Sequence, residues 1–143
     1  MINVTNIEEA KILLKKAESP KVVLAQNDDF NRRLLEYSKF DILLSPEAGS
    51  KKNSLRQIDS GLNHVLAKIA SKNNIGIGID LEELKKLTPK QKAERLSKIM
   101  QNIKICRKSK TRLAVKTKNA SQVRNFLIGI GASTNQLKET IVF

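Results

Sequence analysis

Cysteine and histidine occur once each, as Cys106 and His64, and tryptophan does not occur. A single cysteine excludes an internal disulfide and any cysteine-rich zinc site, and one histidine leaves little from which to build a metal centre. Cys106 is expected to be a small core filler. Aromatic residues make up 3% of the chain, with Tyr37 and the four phenylalanines Phe30, Phe40, Phe126 and Phe143. This argues against a single-strand binder that stacks successive bases on rings, so any nucleic-acid contact should run through phosphates and shape. No apolar run approaches the roughly 18 residues of a membrane span, and Met1 is followed by no apolar signal core. A cytoplasmic protein without a membrane partner is therefore expected. There is no low-complexity segment, and no internal repeat beyond an alternation of strand and helix.

Acid is also in short supply. Lysine and arginine number 27 against 14 aspartates and glutamates, a formal charge of +13, with a sequence pI near 10.0. Such a field attracts polyanions, and nucleic acid is the expected one. The imbalance is concentrated: no acid occurs between Glu94 and Glu139, while Lys98, Lys104, Arg107, Lys108, Lys110, Arg112, Lys116, Lys118 and Arg124 accumulate. One reading is a solvated helix end, where cations suit the dipole. The other is a phosphate track, because cations without local partners gain by releasing condensed counterions. The second reading is preferred and assigns RNA contacts to Arg107, Lys108, Lys110, Arg112, Lys116 and Lys118.

At 143 residues the chain is expected to form a single domain, 1–143, short for a complete eight-unit barrel of about 250 residues. Apolar, β-branched runs predict strands at Ile2–Val4, Lys21–Ala25, Asp41–Ser45, Ile75–Ile79 and Arg112–Lys116. Helical periodicity predicts helices from Ile7 to Ala17, Phe30 to Ser38, Leu62 to Lys72, Asp80 to Leu87, Pro89 to Lys108, Ser121 to Gly129 and Thr134 to Val142. At the centre, Leu62, Val65, Leu66 and Ile69 form an apolar stripe, with Asp59 or Ser60 as the helix cap. Strands that alternate with helices pair in parallel through right-handed crossovers. The fold class is α/β. A partial or reduced barrel fits best, and on the residues alone an open doubly wound sheet is allowed nearly as well.

Three blocks carry a resemblance: Asn31-Arg32-Arg33, then Asp41-Ile42-Leu43-Leu44-Ser45-Pro46-Glu47, then Asp59-Ser60-Gly61-Leu62-Asn63-His64-Val65-Leu66-Ala67. In this order they resemble protein component 3 of archaeal and eukaryal ribonuclease P, the thirty-kilodalton subunit family. The likeness covers roughly Ile2 to Val115 and is strongest from Asn31 to Ile79. The family usually has further strands and helices before the position of Ile2, so an N-terminally shortened relative is expected. The loop between Pro46 and Asp59 is longer and more basic than in the family, with Lys51, Lys52 and Arg56. The resemblance implies a reduced or partial TIM-barrel-like fold with parallel strands. It implies a noncatalytic subunit of an endoribonuclease, supporting the catalytic RNA as 5′ leaders are removed from precursor tRNA. Expected partners are ribonuclease P RNA, other ribonuclease P protein subunits and, indirectly, precursor tRNA. No cofactor is expected in the protein, and magnesium is expected with the RNA. The alternatives are a general RNA-binding or ribosome-associated module and a degenerate metal-dependent hydrolase.

Residue by residue, Lys51, Lys52 and Arg56 join the predicted RNA contacts. Ser60, Gly61, Asn63 and His64 are candidate contacts to a partner or to RNA, since a helix start with a nearby glycine can hold an anion. His64 should be exposed, and lacking a neighbouring acid it is a poor general base. Asp28, Asp29, Glu47 and Asp80 fall at strand C-terminal ends, where barrel enzymes place their chemistry; capping and solvation are the preferred reading, and no catalytic residue or metal ligand is assigned. Gly76 and Gly78 lie within a strand and are read as admitting close packing.

Overall fold

Short polar side chains mark where the helices begin. Asn6 accepts N–H bonds from Glu8 and Glu9 at the head of α1 (Ile7–Lys16), and Asn27 accepts one from Phe30 at the head of α2 (Asp28–Tyr37). Such caps satisfy amides that the first helical turn leaves unpaired. Asn63 does the same for α3 (His64–Lys72) and Asp80 for α4 (Leu81–Lys85). Thr88 and Gln91 form a capping box at α5 (Pro89–Ser109), which carries proline in its first turn. After α6 (Val123–Gly129), Ser133 and Gln136 box α7 (Thr134–Glu139).

The computed structural model describes residues 1–48 and 59–143. Among these, five strands form one sheet: β1 (Val22–Leu24), β2 (Ile42–Leu44), β3 (Gly76–Asp80), β4 (Leu113–Lys116) and β5 (Ile141–Val142). Every pairing is parallel and the spatial order is the chain order, with Val22 beside Ile42, Ile42 beside Gly76, Ile77 beside Leu113 and Ala114 beside Ile141. One face of the sheet presents Val23, Leu43, Ile77, Ile79, Leu113 and Val115 to the helices, which bury Leu14, Leu34, Leu66, Leu84, Ile103 and Leu127 against it. Full burial of such a side chain is worth about 1.5–3 kcal/mol. The opposite face gathers Val22, Ile42, Leu44 and Ala114 with Leu24, Ile141 and Phe143, and among the described residues no helical one joins that cluster.

This arrangement decides between the two fold expectations. A doubly wound sheet reverses its strand order and carries helices on both faces, whereas a barrel wall keeps chain order with helices outside. The chain has the second organisation, that of a partial TIM-barrel-like wall, and the open doubly wound alternative is set aside. Gly78 fits the close-packing reading, because a Cβ there would sit 2.9 Å from Ile42 Cγ2 and Leu44 Cδ1 on the neighbouring strand. At Gly76 a Cβ would meet only an ordinary contact, 3.5 Å from Ala114 Cβ.

Three local expectations are corrected. Ile2–Val4 is not a full strand: Ile2 makes an isolated bridge to Val23, donating to the Val22 carbonyl and accepting from Leu24. The fifth strand lies instead at Ile141–Val142, where a helix was expected, because these β-branched residues extend the sheet beside Ala114 and Val115. Finally, α3 starts at His64 rather than at Asp59 or Ser60. Gly61 takes φ +74°, outside the helical region, and the Asp59 carboxylate accepts the Gly61 N–H, leaving Asn63 as the cap. The stripe shifts accordingly: Leu66, Ala67 and Ala70 are buried and Val65 is 55% exposed.

Candidate RNA interface

Parallel strands that all point one way give the sheet two chemically different ends. The carboxyl end collects strand ends and helix starts, and the amino end collects helix ends and strand starts. Because helix starts favour acids and helix ends favour cations, charge is sorted between them. Glu8, Glu9, Asp28, Asp29, Glu82 and Glu83 sit in first turns, while Lys15, Lys16, Lys72, Arg107 and Lys108 sit in last turns.

At the carboxyl end the acids after β2 and β3 are matched within the chain. Glu47, in the turn after β2, has a side chain only 1% exposed and meets Arg95 of α5 at 3.1 Å. The same guanidinium reaches Glu83 at 3.1 Å. Burial pushes the Glu47 carboxyl above its ordinary range, with the adjacent Arg95 charge opposing the shift. Asp80 caps α4 through one oxygen and lies 3.6 Å from Lys116 Nζ through the other. Glu82 accepts the Lys118 backbone N–H at 2.9 Å, which with bonds from Lys85 and Thr117 holds its carboxyl below the usual range.

These contacts reassign several predicted site residues. Lys116 is not without a partner, as its sequence surroundings suggested, because Asp80 comes from the neighbouring strand. Ser60 is 1% exposed, with its hydroxyl donating to the Leu62 carbonyl and accepting from Gln101, and its carbonyl accepting from Asn102. It therefore fastens the loop to α5 and offers no surface to a partner. Gly61 is likewise structural: a Cβ there would stand 1.8 Å from the Pro46 carbonyl oxygen. Asn63 and His64 are exposed at the head of α3, where Asn63 spends its side-chain oxygen on the Leu66 N–H. Among the described residues, no three His, Cys, Asp or Glu side chains group as they would around a metal ion. Lys51, Lys52 and Arg56 lie outside the described residues.

At the amino end, main-chain carbonyls take up the cations' local bonds. Arg107 donates to the Gly131 carbonyl at 2.6 Å and to Gln136, which holds the turn between α6 and α7. Arg112 donates to the Asn74 carbonyl at 3.2 Å. The Ser71 hydroxyl donates to the Lys110 carbonyl at 3.2 Å, joining the ends of α3 and α5. Lys72, Lys108 and Lys110 are exposed, and none of them forms an ion pair with a described residue. Asp41, an acid at this end, accepts the Lys21 N–H at 2.6 Å. Sequence reasoning missed Lys72 as a member of this group, although its place in the last turn of α3 was the available signal. Cys106, read as a core filler, is fully buried, and burial pushes its thiol up to about 12.

No helix among the described residues is long and apolar enough to cross a membrane. No family model matches the chain. Its sequence is 29% identical over 110 residues to ribonuclease P protein component 3 of Methanococcus maripaludis, covering 76% of this chain and 44% of that protein. The protein of the same name from Methanococcus vannielii is 28% identical over 127 residues, 82% of this chain and 52% of the other. That from Methanocaldococcus jannaschii is 31% identical over 97 residues, 66% and 39% respectively. The chain thus spans about half the length of the curated relatives it matches. Its fold superposes on a chain of the cryo-EM structure of archaeal ribonuclease P with mature tRNA, with a TM-score of 0.74 and 24% identity, covering 96% of this chain and 61% of the other. The chain is thus similar in sequence to ribonuclease P protein component 3 and shares its fold with a chain of the archaeal ribonuclease P structure.

Proposed function

We propose that this chain acts as a protein subunit of ribonuclease P, supporting the catalytic RNA in removal of 5′ leaders from precursor tRNA and contributing no catalytic group of its own. The observation that carries the reading is the similarity to ribonuclease P protein component 3 over 76% of the chain. The amino end of the sheet supplies the matching chemistry: exposed cations without ion-pair partners among the described residues can neutralise phosphates and release counterions. Ribonuclease P RNA is the direct partner, precursor tRNA an indirect one, and other ribonuclease P protein subunits dock alongside, with the exposed Asn63 and His64 available to them. Magnesium serves the RNA, and the complex works in the cytoplasm.

A degenerate hydrolase is disfavoured by the carboxyl end, where such an enzyme would place its acids. There Glu47 is engaged by Arg95, and Asp80 by Lys116 and the Glu83 N–H. Reconstitution tests both halves of the proposal. Added with its partner subunits, the protein should lower the magnesium concentration that an archaeal ribonuclease P RNA needs to cleave precursor tRNA. Alone it should cleave neither precursor tRNA nor simple phosphoesters. Metal-dependent turnover by the protein alone, abolished by Asp80→Asn, would revive the hydrolase. An unchanged magnesium requirement in the reconstituted particle would reduce the role to generic RNA binding.

A further inference from the structure

Helix α5 ends on a residue that its backbone does not favour. Lys110 closes the helix at φ 57° and ψ 37°, in the left-handed region where an L side chain crowds its own carbonyl and glycine is the usual occupant. The conformation is fixed from both sides. The Lys110 N–H donates to the Cys106 carbonyl and its own carbonyl accepts from Ser71. The next residue, Thr111, is 3% exposed and donates its hydroxyl to the Ala67 carbonyl at 2.8 Å. Glycine would make the same two main-chain bonds without the crowding. The lysine side chain adds no ion pair within the described residues, even though Glu139 lines the same shallow cleft between the end of α5 and α7. The Ser71–Lys110 bond also ties the last turn of α3, which carries Lys72, to the end of α5, and neither lysine forms an ion pair with a described residue. A strained backbone opposes this side chain in the free protein, and no ion pair among the described residues offsets the strain.

Building on the RNA-binding reading, we propose that Lys110 is a phosphate-contacting residue, kept in the left-handed cap at the expense of stability. It acts with Lys72 and Lys108, in the last turns of α3 and α5, and Lys116 and Lys118 at the opposite end of the sheet take no part. Residues held in sparsely populated conformations point to a use when the surrounding structure over-determines them, and here it does so through three hydrogen bonds.

The test is a trade-off measured on one set of variants, with an in vitro transcribed archaeal ribonuclease P RNA as probe. Lys110→Gly should raise the thermal midpoint of the free protein. It should also weaken RNA binding severalfold and lower the log–log slope of affinity against salt by about one unit. Lys110→Arg keeps the charge and should retain the wild-type slope, while Lys116→Gln with Lys118→Gln should leave it unchanged. A Lys110→Gly protein that is less stable than wild type, or that keeps the full salt slope, overturns the proposal while RNA binding itself stands. Loss of slope in the Lys116 and Lys118 variant overturns the assignment to the amino end. A wild-type protein with no salt-dependent affinity for the RNA removes the reading on which the proposal rests.

Discussion

The two ends of the sheet obey one electrostatic rule and reach opposite outcomes. Helix starts collect acids at the carboxyl end, and cations from other elements meet them: Arg95 reaches Glu47 and Glu83, and Lys116 reaches Asp80. Helix ends collect cations at the amino end, and backbone carbonyls rather than carboxylates meet Arg107 and Arg112. A carbonyl accepts a hydrogen bond without cancelling the charge, so this end keeps its positive field. The contrast separates residues that stabilise the fold from residues available to a polyanion, which a count of charges along the chain does not.

The largest effect should come from breaking the carboxyl end at its buried pair. Arg95→Met keeps the apolar stem but leaves Glu47 almost fully buried without its cation, and about 3–5 kcal/mol of stability should be lost. Urea denaturation measures this. Adding Glu47→Gln to the same protein should restore a large part of the loss, since the penalty is that of an uncompensated buried charge. A single variant within 1 kcal/mol of wild type would mean that water reaches Glu47 and that the end is not internally matched.

A smaller effect concerns pH. The folded-state carboxyl of Glu47 lies above its ordinary value of 4.5, so the folded protein holds this proton more tightly than the unfolded chain. The stability it contributes is fully present below that ordinary value and is lost as pH rises through the raised folded one. Glu47→Gln cannot lose a proton, so the advantage of wild type over the variant should shrink from pH 4 to neutrality. Denaturant midpoints of both proteins across that interval give the comparison. A wild-type advantage that grows with pH would mean that Arg95 outweighs burial and that the folded-state shift runs downward.

Much of the architecture was legible because its signals are local. The spans of α1, α2 and α5 and the apolar strands β1 to β4 each follow from neighbouring residues. The start of α3 was misplaced because Asp59 and Ser60 have cap chemistry, whereas the deciding fact is the close approach of Gly61 to the Pro46 carbonyl. β5 is only two residues long, and its pairing partner β4 lies well upstream. Strand order was not legible either, since barrels and doubly wound sheets share the same alternation of elements. The charge network fails for the same reason: Arg95 and Glu47 are 48 positions apart, and no periodicity joins them. The acid-free tract was visible as a run, but folding divides it between the two ends of the sheet.

That division yields the smallest and most discriminating expectation. Lys116 belongs to the same sequence run as Arg107, Lys108, Lys110 and Arg112, yet it stands at the other end of β4, 3.6 Å from Asp80. Its side chain is 41% exposed, so the pair is screened by solvent, and Lys116→Gln should cost about 1 kcal/mol or less. Asp80 keeps its bond to the Glu83 N–H, which limits the penalty of leaving its carboxylate without a cation. Affinity for ribonuclease P RNA should fall only slightly, through the loss of one long-range charge, and the salt slope should not move. A slope lower by a full unit would show that Lys116 gives up Asp80 for a phosphate when RNA binds. The RNA would then extend over both ends of the sheet, and the internal matching of the carboxyl end would hold only for the free protein.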